Sequence, residues 1–442
     1  MTQAETPRTT APTLRGDRVF LRFWVAASVT IAGTLVTSVV LPILVYQLTG
    51  SAWETSLLVA IETIPYLAFG LIAGAVADRV DRRILLCRCE LTSAALLASI
   101  PVADAAGVLT VAQIYVVAVA TATVFVWFDA ANFGAIPAIA GRDRIAAAYS
   151  RINATATVLM IVSPALGGVL AATIGPAPAM GIDAASCVIS ALLLLSIRRP
   201  FASAEGGGEG IPARMRERIA EGLRFLWHHP TIRSLTLLGF GNSLALGGVT
   251  GLMVVYAHRQ LGLPRTSALI GVLYASGAVG SLLCTSVLPR LMRRFSVLII
   301  RLAGVSAELA LLAGFALATG LIPAMVLLAA LSAASEAVIL SGIIYRQQVT
   351  PDHLQSRVNV VARMIAWGGQ PFGAVLAGAI ASVSSVRAGL LTGGVALAAV
   401  LVLSVAGPLR VRAPDAVPAA AAARPQGPGG SDCDPQAAAS GM

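Results

Sequence analysis

Of the ionisable side chains that fall inside long apolar runs of this sequence, seven are candidates for function: Glu62, Glu90, Asp129, Asp183, Glu308, Glu336 and Arg363. A carboxyl withdrawn from water can load and release a proton or hold a cation, so these acids are the first candidates for chemistry. Other chemistries are excluded. All 31 basic residues are Arg and none is Lys, so there is no Walker A lysine and no lysine to form a Schiff base. Cys87, Cys89, Cys187, Cys284 and Cys433 show no CxxC spacing and no neighbouring His, and read as packing residues. The four His show no metal spacing. No metal and no cofactor is expected.

The elements that carry these acids are set by composition. Hydrophobic residues make up 57% of the chain and charged residues 12%, with a mean hydropathy of +0.83. Soluble domains carry about 25% charged residues, so most of this chain has no water to face. The apolar runs fall near 20–47, 54–77, 84–103, 109–135, 149–172, 178–197, 231–257, 267–289, 296–319, 321–345, 359–382 and 387–407. Most are long enough to cross about 30 Å of hydrocarbon as helices, and none alternates as barrel strands do. The expected fold class is all-α integral membrane, with twelve transmembrane helices. Against that background each acid costs about 2.5–3.5 kcal/mol at mid-membrane on insertion scales, and such residues are retained for a purpose.

The net charge of +10 and pI ≈ 10.1 do not point to nucleic acid. The arginines sit between apolar runs, not on a polar domain with aromatic platforms. With the N-terminus inside, 28 of them fall in inside segments and only Arg259, Arg265 and Arg387 outside. The positive-inside rule therefore expects an even number of spans with both termini cytoplasmic, in the cell membrane. The chain divides into a cytoplasmic N-terminal tail at 1–19, a six-helix bundle at 20–197, a cytoplasmic linker at 198–230, a second six-helix bundle at 231–407 and a disordered cytoplasmic tail at 408–442. Within the linker Ile219, Leu223 and Leu226 share one helical face and Arg and Glu fill the other, as in an amphipathic helix on the inner membrane surface.

The two bundles read as a duplication. Ser150-Arg151-Ile152-Asn153 before span 5 is echoed by Ser356-Arg357-Val358-Asn359 before span 11, and Pro164, Gly167 and Gly168 by Pro371 and Gly373. Arg79-x-x-Arg82-Arg83 after span 2 is echoed by Arg290-x-x-Arg293-Arg294 after span 8. Two such halves about a pseudo-two-fold axis place a binding site at their interface, near the bilayer midplane.

Gly74-Ala-Val-Ala-Asp78-Arg79-Val-Asp81-Arg82-Arg83 resembles the signature loop of the major facilitator superfamily, G-x-x-x-D-R-x-G-R-R, with Asp81 in place of the later Gly. Pro164-x-x-Gly167-Gly168 is similar to the end of the superfamily's antiporter motif, although Leu159 and Ser163 replace its upstream glycines. Leu48-Thr-Gly-Ser51, the stretch Glu221 to Pro230 and the stretch Gln348 to Arg357 resemble the enterobactin-exporter and macrolide-efflux-like branch. The resemblance implies the major facilitator fold, with spans 1, 4, 7 and 10 lining a cavity. It makes Gly74, Asp78, Arg79, Arg82 and Arg83 a conformational gate, with Asp129 pairing a signature-loop Arg. It puts Glu336 first and Glu62 second as proton or cation sites, and makes Asn132, Asn242, Gln370 and Arg363 polar contacts of an otherwise apolar cavity.

The expected activity is secondary transport by alternating access: proton-coupled export of small amphipathic or hydrophobic molecules by a monomer. The expected partners are a small-molecule substrate, protons and the lipid bilayer. An importer or lipid flippase of the same fold and a non-transporting sensor are the alternatives. A membrane-bound transferase would need an acid–base or metal constellation that these residues do not supply.

Overall fold

The computed structural model of the chain describes residues 17–77, 79–199, 201 and 211–406. The signature-loop Asp78, most of the N-terminal tail and the C-terminal tail with Cys433 lie outside the described residues, as do the side chains of Ile219, Ser356 and Arg357. Within them the chain is helical, with no strand. The first half consists of α1 (Arg18–Thr49), α2 (Ala52–Ala77), α3 (Arg82–Ala105), α4 (Val111–Ala140), α5 (Ile145–Thr173) and α6 (Pro176–Leu195). A linker helix, α7 (Ile211–His228), leads to α8 (Pro230–Arg259), α9 (Ala268–Arg294), α10 (Val297–Leu317) and α11 (Leu321–Val349). The second half ends with α12 (Asp352–Trp367), α13 (Gly369–Val383) and α14 (Val386–Ala406). Eleven segments are long and apolar enough to cross a membrane, with Val358–Val383 counting as one. The 26-residue α2, which carries Glu54 and Glu62, makes the twelfth.

The helix boundaries follow local chemistry. Asp17, Thr110, Ser267 and Ser296 place side-chain oxygens on the free N–H groups that open α1, α4, α9 and α10. Gly50 closes α1 in the left-handed region at φ 62°. Asp81, which stands where the superfamily loop has Gly, has φ −62° and ψ 109° and caps α3 by accepting from the Arg83 N–H at 2.9 Å. That turn needs no positive φ, so the acid fits and adds a cap. The eleventh run, which reads as one helix in sequence, is broken at Gly368. Pro371 has no N–H to continue the ladder across Gly368-Gly369, and the helix restarts as α13.

The turns at Gly50, Gly175 and Gly262 mark one end of the bundle, called upper; the α2–α3 turn with Arg82 and Arg83 marks the lower end. The halves meet tightly at the upper end, through glycine. A Cβ on Gly168 of α5 would lie 2.7 Å from Ala268 O and from the Gly271 backbone nitrogen of α9, and one on Gly271 would lie 2.2 Å from Pro164 O. The pseudo-symmetric partner of this contact joins α13 to α2, where a Cβ on Gly378 would lie 2.4 Å from the Ser56 Cβ. Small residues permit this approach, in which dispersion between backbones replaces the hydrophobic effect that lipid does not supply. The duplicated motif serves the same packing twice within the halves. Gly167 faces Val36 and Val40 of α1, and Gly373 faces Leu244 of α8.

The linker helix docks on the protein. Leu226 is 1% exposed and packs with Ile232, Leu354, Val358 and Val361, whereas Leu223 and Trp227 of α7 remain exposed. The face that reads as lipid-facing in sequence is thus shared between α12 and the surroundings. Because the backbone of α8 lies within 1.9 Å of a Cβ built on Gly373, Gly373→Val cannot be absorbed by a rotamer change. It is expected to destabilise the second half by about 1–3 kcal/mol, seen as a lowered Tm of the detergent-solubilised protein.

Candidate functional site

A cavity of about 310 Å³ opens between the halves near mid-height. Its walls are α1, α2, α3, α4 and α6 of the first half, closed by Trp367 and Gln370 from the broken span of the second. Three carboxyls reach it: Glu62, Glu90 and Asp183. Glu90, 1% exposed, accepts from Thr30 Oγ1 of α1 and, at 2.8 Å, from Ser190 Oγ of α6. Asp183, 4% exposed, accepts from Thr37 Oγ1 of α1 and from Ser186 Oγ at 3.0 Å. It lies so close to α1 that a Cβ on Gly33 would overlap its carboxylate. These hydroxyls supply partners that hydrocarbon cannot. Glu62 differs: it is partly exposed to the cavity and makes no hydrogen bond among the described residues.

Below this cavity Tyr66 of α2 and Trp367 of α12 face each other across the halves, ring centroids 5.6 Å apart. Both also line a second cavity of about 200 Å³ that runs toward the lower end between α2 and α12, with Gly70, Gly74 and Arg363. The Arg363 guanidinium lies 5.9 Å from the Tyr66 ring centroid and 5.8 Å from that of Trp367, within cation–π range. Asp129 is exposed on α4 and lies within electrostatic reach of Arg363 in the opposite half.

Arg82 and Arg83 of the signature loop each bond to backbone carbonyls of their own half. Arg82 Nη1 donates to Gly134 O of α4 at 3.1 Å, and a Cβ on Gly134 would overlap the guanidinium. Arg83 donates to the carbonyls of Leu194 and Leu195 at the end of α6 at 3.2 and 2.8 Å, where the helix dipole favours a cation. Arg79 is exposed and Gly74 lines the second cavity.

In the second half, Asn242 turns its amide nitrogen onto both carboxylate oxygens of Glu308, at 2.6 and 2.7 Å, while Ser335 Oγ lies 3.1 Å from the amide oxygen. Asn242 therefore ties α8 to α10 and α11 and is not a cavity contact. Glu336 lies outside both cavities, half-buried on α11 within electrostatic reach of Cys284 of α9. Asn132 Oδ1 is buried with no hydrogen-bond partner among the described residues. Gln370 lines the main cavity.

Two features of the assembled helices have no signal in the sequence. Arg301, which counts there as an inside-loop arginine, is 2% exposed inside α10 and donates to Leu235 O at 2.6 Å. Tyr66 and Trp367 carry no charge and no motif, so no sequence signal marks them. At the upper end Arg259 and Arg265 bridge the halves by donating to Gly50 O at 2.9 Å and Gln47 O at 3.4 Å.

Two six-helix halves, with a cavity walled by the first and closed by Trp367 and Gln370 of the second, form the arrangement of a carrier, and known proteins agree. The chain matches, over residues 9–428, the family described as a transmembrane secretion effector. It belongs to that family, within the major facilitator superfamily. It is 28% identical over 399 residues to the multidrug efflux pump Tap of Mycolicibacterium fortuitum, covering 85% of this chain and 92% of that relative. It is 25% identical over 410 residues to the enterobactin exporter EntS of Salmonella choleraesuis, covering 90% of this chain and 94% of that relative. The fold is similar to that of a bacterial homologue of the human lysosomal transporter Spinster in an inward-facing, unoccupied conformation. The TM-score is 0.73 at 16% identity, over 91% of this chain and 100% of that one. The family and these relatives are transporters, not enzymes, and this chain is a multi-pass membrane transporter.

The Asn242–Glu308 contact has a stability consequence. Asn242→Leu leaves a buried carboxyl without its amide donor and is expected to cost about 1–3 kcal/mol. Glu308→Gln, which keeps shape and one acceptor, is expected to cost less. Thermal unfolding of the purified variants checks the order.

Proposed function

We propose that this transporter exports small amphipathic molecules from the cytoplasm in exchange for protons, by alternating access. The observation that carries the reading is the central cavity with Glu62 in its wall, closed above by the glycine contacts between halves and continued below by the second cavity. The distribution of arginines supports a cytoplasmic lower end and cytoplasmic termini, and on this reading the described conformation takes cargo from inside. The resemblance to efflux relatives supports outward transport, and a monomer with both halves in one chain is sufficient for it.

Glu62 is the coupling residue in this reading. It is the cavity carboxyl with no hydrogen-bond partner among the described residues, so a proton and a cargo molecule compete for it directly. Glu336, which lies outside both cavities, has a supporting role at most. To open outward, Arg259 and Arg265 leave the carbonyls at the end of α1, and the α5–α9 and α2–α13 contacts part. Asp129 and Arg363 then approach from opposite halves and close the lower side, beside the signature loop. Each contact belongs to one state, so each biases a two-state equilibrium.

Everted membrane vesicles energised with an acid interior are expected to accumulate a cargo dye, and the signal collapses on addition of a protonophore. Glu62→Gln abolishes the pH-driven component; unchanged uptake in that variant removes Glu62 from the coupling. State exchange is checked independently. A Cβ on Gly251 would lie 3.3 Å from the Ser56 Cβ, near the Cβ separation of a disulfide. In a background lacking the native cysteines, Ser56→Cys with Gly251→Cys is expected to cross-link the upper end on oxidation. Uptake stops and returns on reduction.

A further inference from the structure

The chemical class of the cargo can be read from the walls of the central cavity. Its ionisable lining residues are the acids Glu62, Glu90 and Asp183, and no Arg or His lines it among the described residues. The nearest arginine in the passage, Arg363, lines only the lower cavity, beyond the Tyr66–Trp367 pair. Charge is thus sorted along the path: carboxyls above the aromatic pair, a guanidinium below it. The remaining polar lining is hydroxyl, from Thr30, Thr34 and Thr37 of α1 among others.

The aromatic walls point the same way. Tyr66, Phe125, Phe128 and Trp367 line the cavity. Two of them already face a cation, since Arg363 lies within cation–π distance of both the Tyr66 and Trp367 rings. An anionic cargo in this chamber would face three carboxyls, with the Arg363 guanidinium held against the aromatic pair and outside the cavity lining, and burying an unpaired charge is strongly unfavourable. A cationic cargo meets aromatic faces for its apolar body and a carboxyl for its charge.

Resting on the transport reading above, we infer that the central cavity selects lipophilic organic cations and that Glu62 is the carboxyl the cationic centre contacts. Glu90 and Asp183 are committed to pairs of hydroxyls that tie α3 and α6 to α1, which leaves neither carboxyl free for cargo. Glu62 has no such commitment. A monovalent cation arriving at Glu62 displaces one proton, so charge at that site is conserved through the exchange.

Two probes of the same shape and opposite fixed charge test this: tetraphenylphosphonium and tetraphenylborate, neither of which titrates. Binding to the full chain in nanodiscs is measured with empty nanodiscs subtracted. Saturable binding of the phosphonium, weakened about tenfold or more by Glu62→Gln and kept within about threefold by the charge-retaining Glu62→Asp, is the expected result. Tetraphenylborate is expected to show no saturable binding. Borate binding as tight as phosphonium binding, or phosphonium binding indifferent to Glu62→Gln in a protein whose Tm is unchanged, overturns the inference. Flux in proteoliposomes separates it from the transport reading. Charge-selective binding without phosphonium flux in either direction sustains the cation site and rejects transport. A pH-driven flux of a neutral dye without any cation preference rejects the cation site and sustains transport.

Discussion

Hydrocarbon offers a carboxyl group no hydrogen bond, and the interior of this protein is arranged around that constraint. Glu90 draws hydroxyls from α1 and α6 together, and Asp183 fixes α6 against α1 through Thr37 in a space that only Gly33 leaves open. Glu308 does the equivalent in the second half through Asn242 and Ser335. Each of these three acids, which could disrupt a helix bundle, instead specifies which helices touch and in what rotation, because only one arrangement brings the donors to it. Glu62 departs from the pattern and leaves its carboxyl to the cavity.

The glycine contacts solve a second problem with different physics. Between the halves there is no water to exclude into bulk, so association depends on dispersion at close range. Gly168 against Gly271 and Gly378 against Ser56 place backbones close enough for that. Such contacts are numerous but individually weak, which suits an interface that must separate and re-form. Arg259 and Arg265 add directional bonds to the end of α1 at the same place. Stability within halves and exchange between them are therefore assigned to different residues: hydroxyl–carboxylate and amide–carboxylate bonds inside, glycine contacts and two exposed arginines across.

Much of this was legible in the sequence. The twelve apolar runs coincide with helix cores because twenty apolar residues in a bilayer satisfy their backbone only as helix. The duplicated Pro–Gly motif marks equivalent packing positions in α5 and α13, because backbone approach requires small residues wherever it occurs. Glu62 was legible as an ionisable group in a span, but its place in the cavity wall, with Glu336 outside both cavities, was not. Both are single glutamates in apolar runs; their difference is a matter of helix rotation, which one-dimensional spacing leaves open. Arg301 was misplaced for a related reason. An arginine one turn into a helix reads as a loop charge, and its burial beside Gly342 depends on a helix more than 30 residues away.

The amino-acid sequence by itself determined the membrane class, the helix count, the two related halves and the supply of acids, because these depend on composition and local periodicity under the strong solvation penalty of lipid. Only the tertiary structure decided which acids are satisfied and which is left open, that an aromatic pair divides the path, and that the halves touch at the upper end. Those outcomes depend on which faces of distant helices meet, and a contact between residues hundreds of positions apart has no local signature. The twelve helices were written in the chain; the cavity exists only where they are assembled.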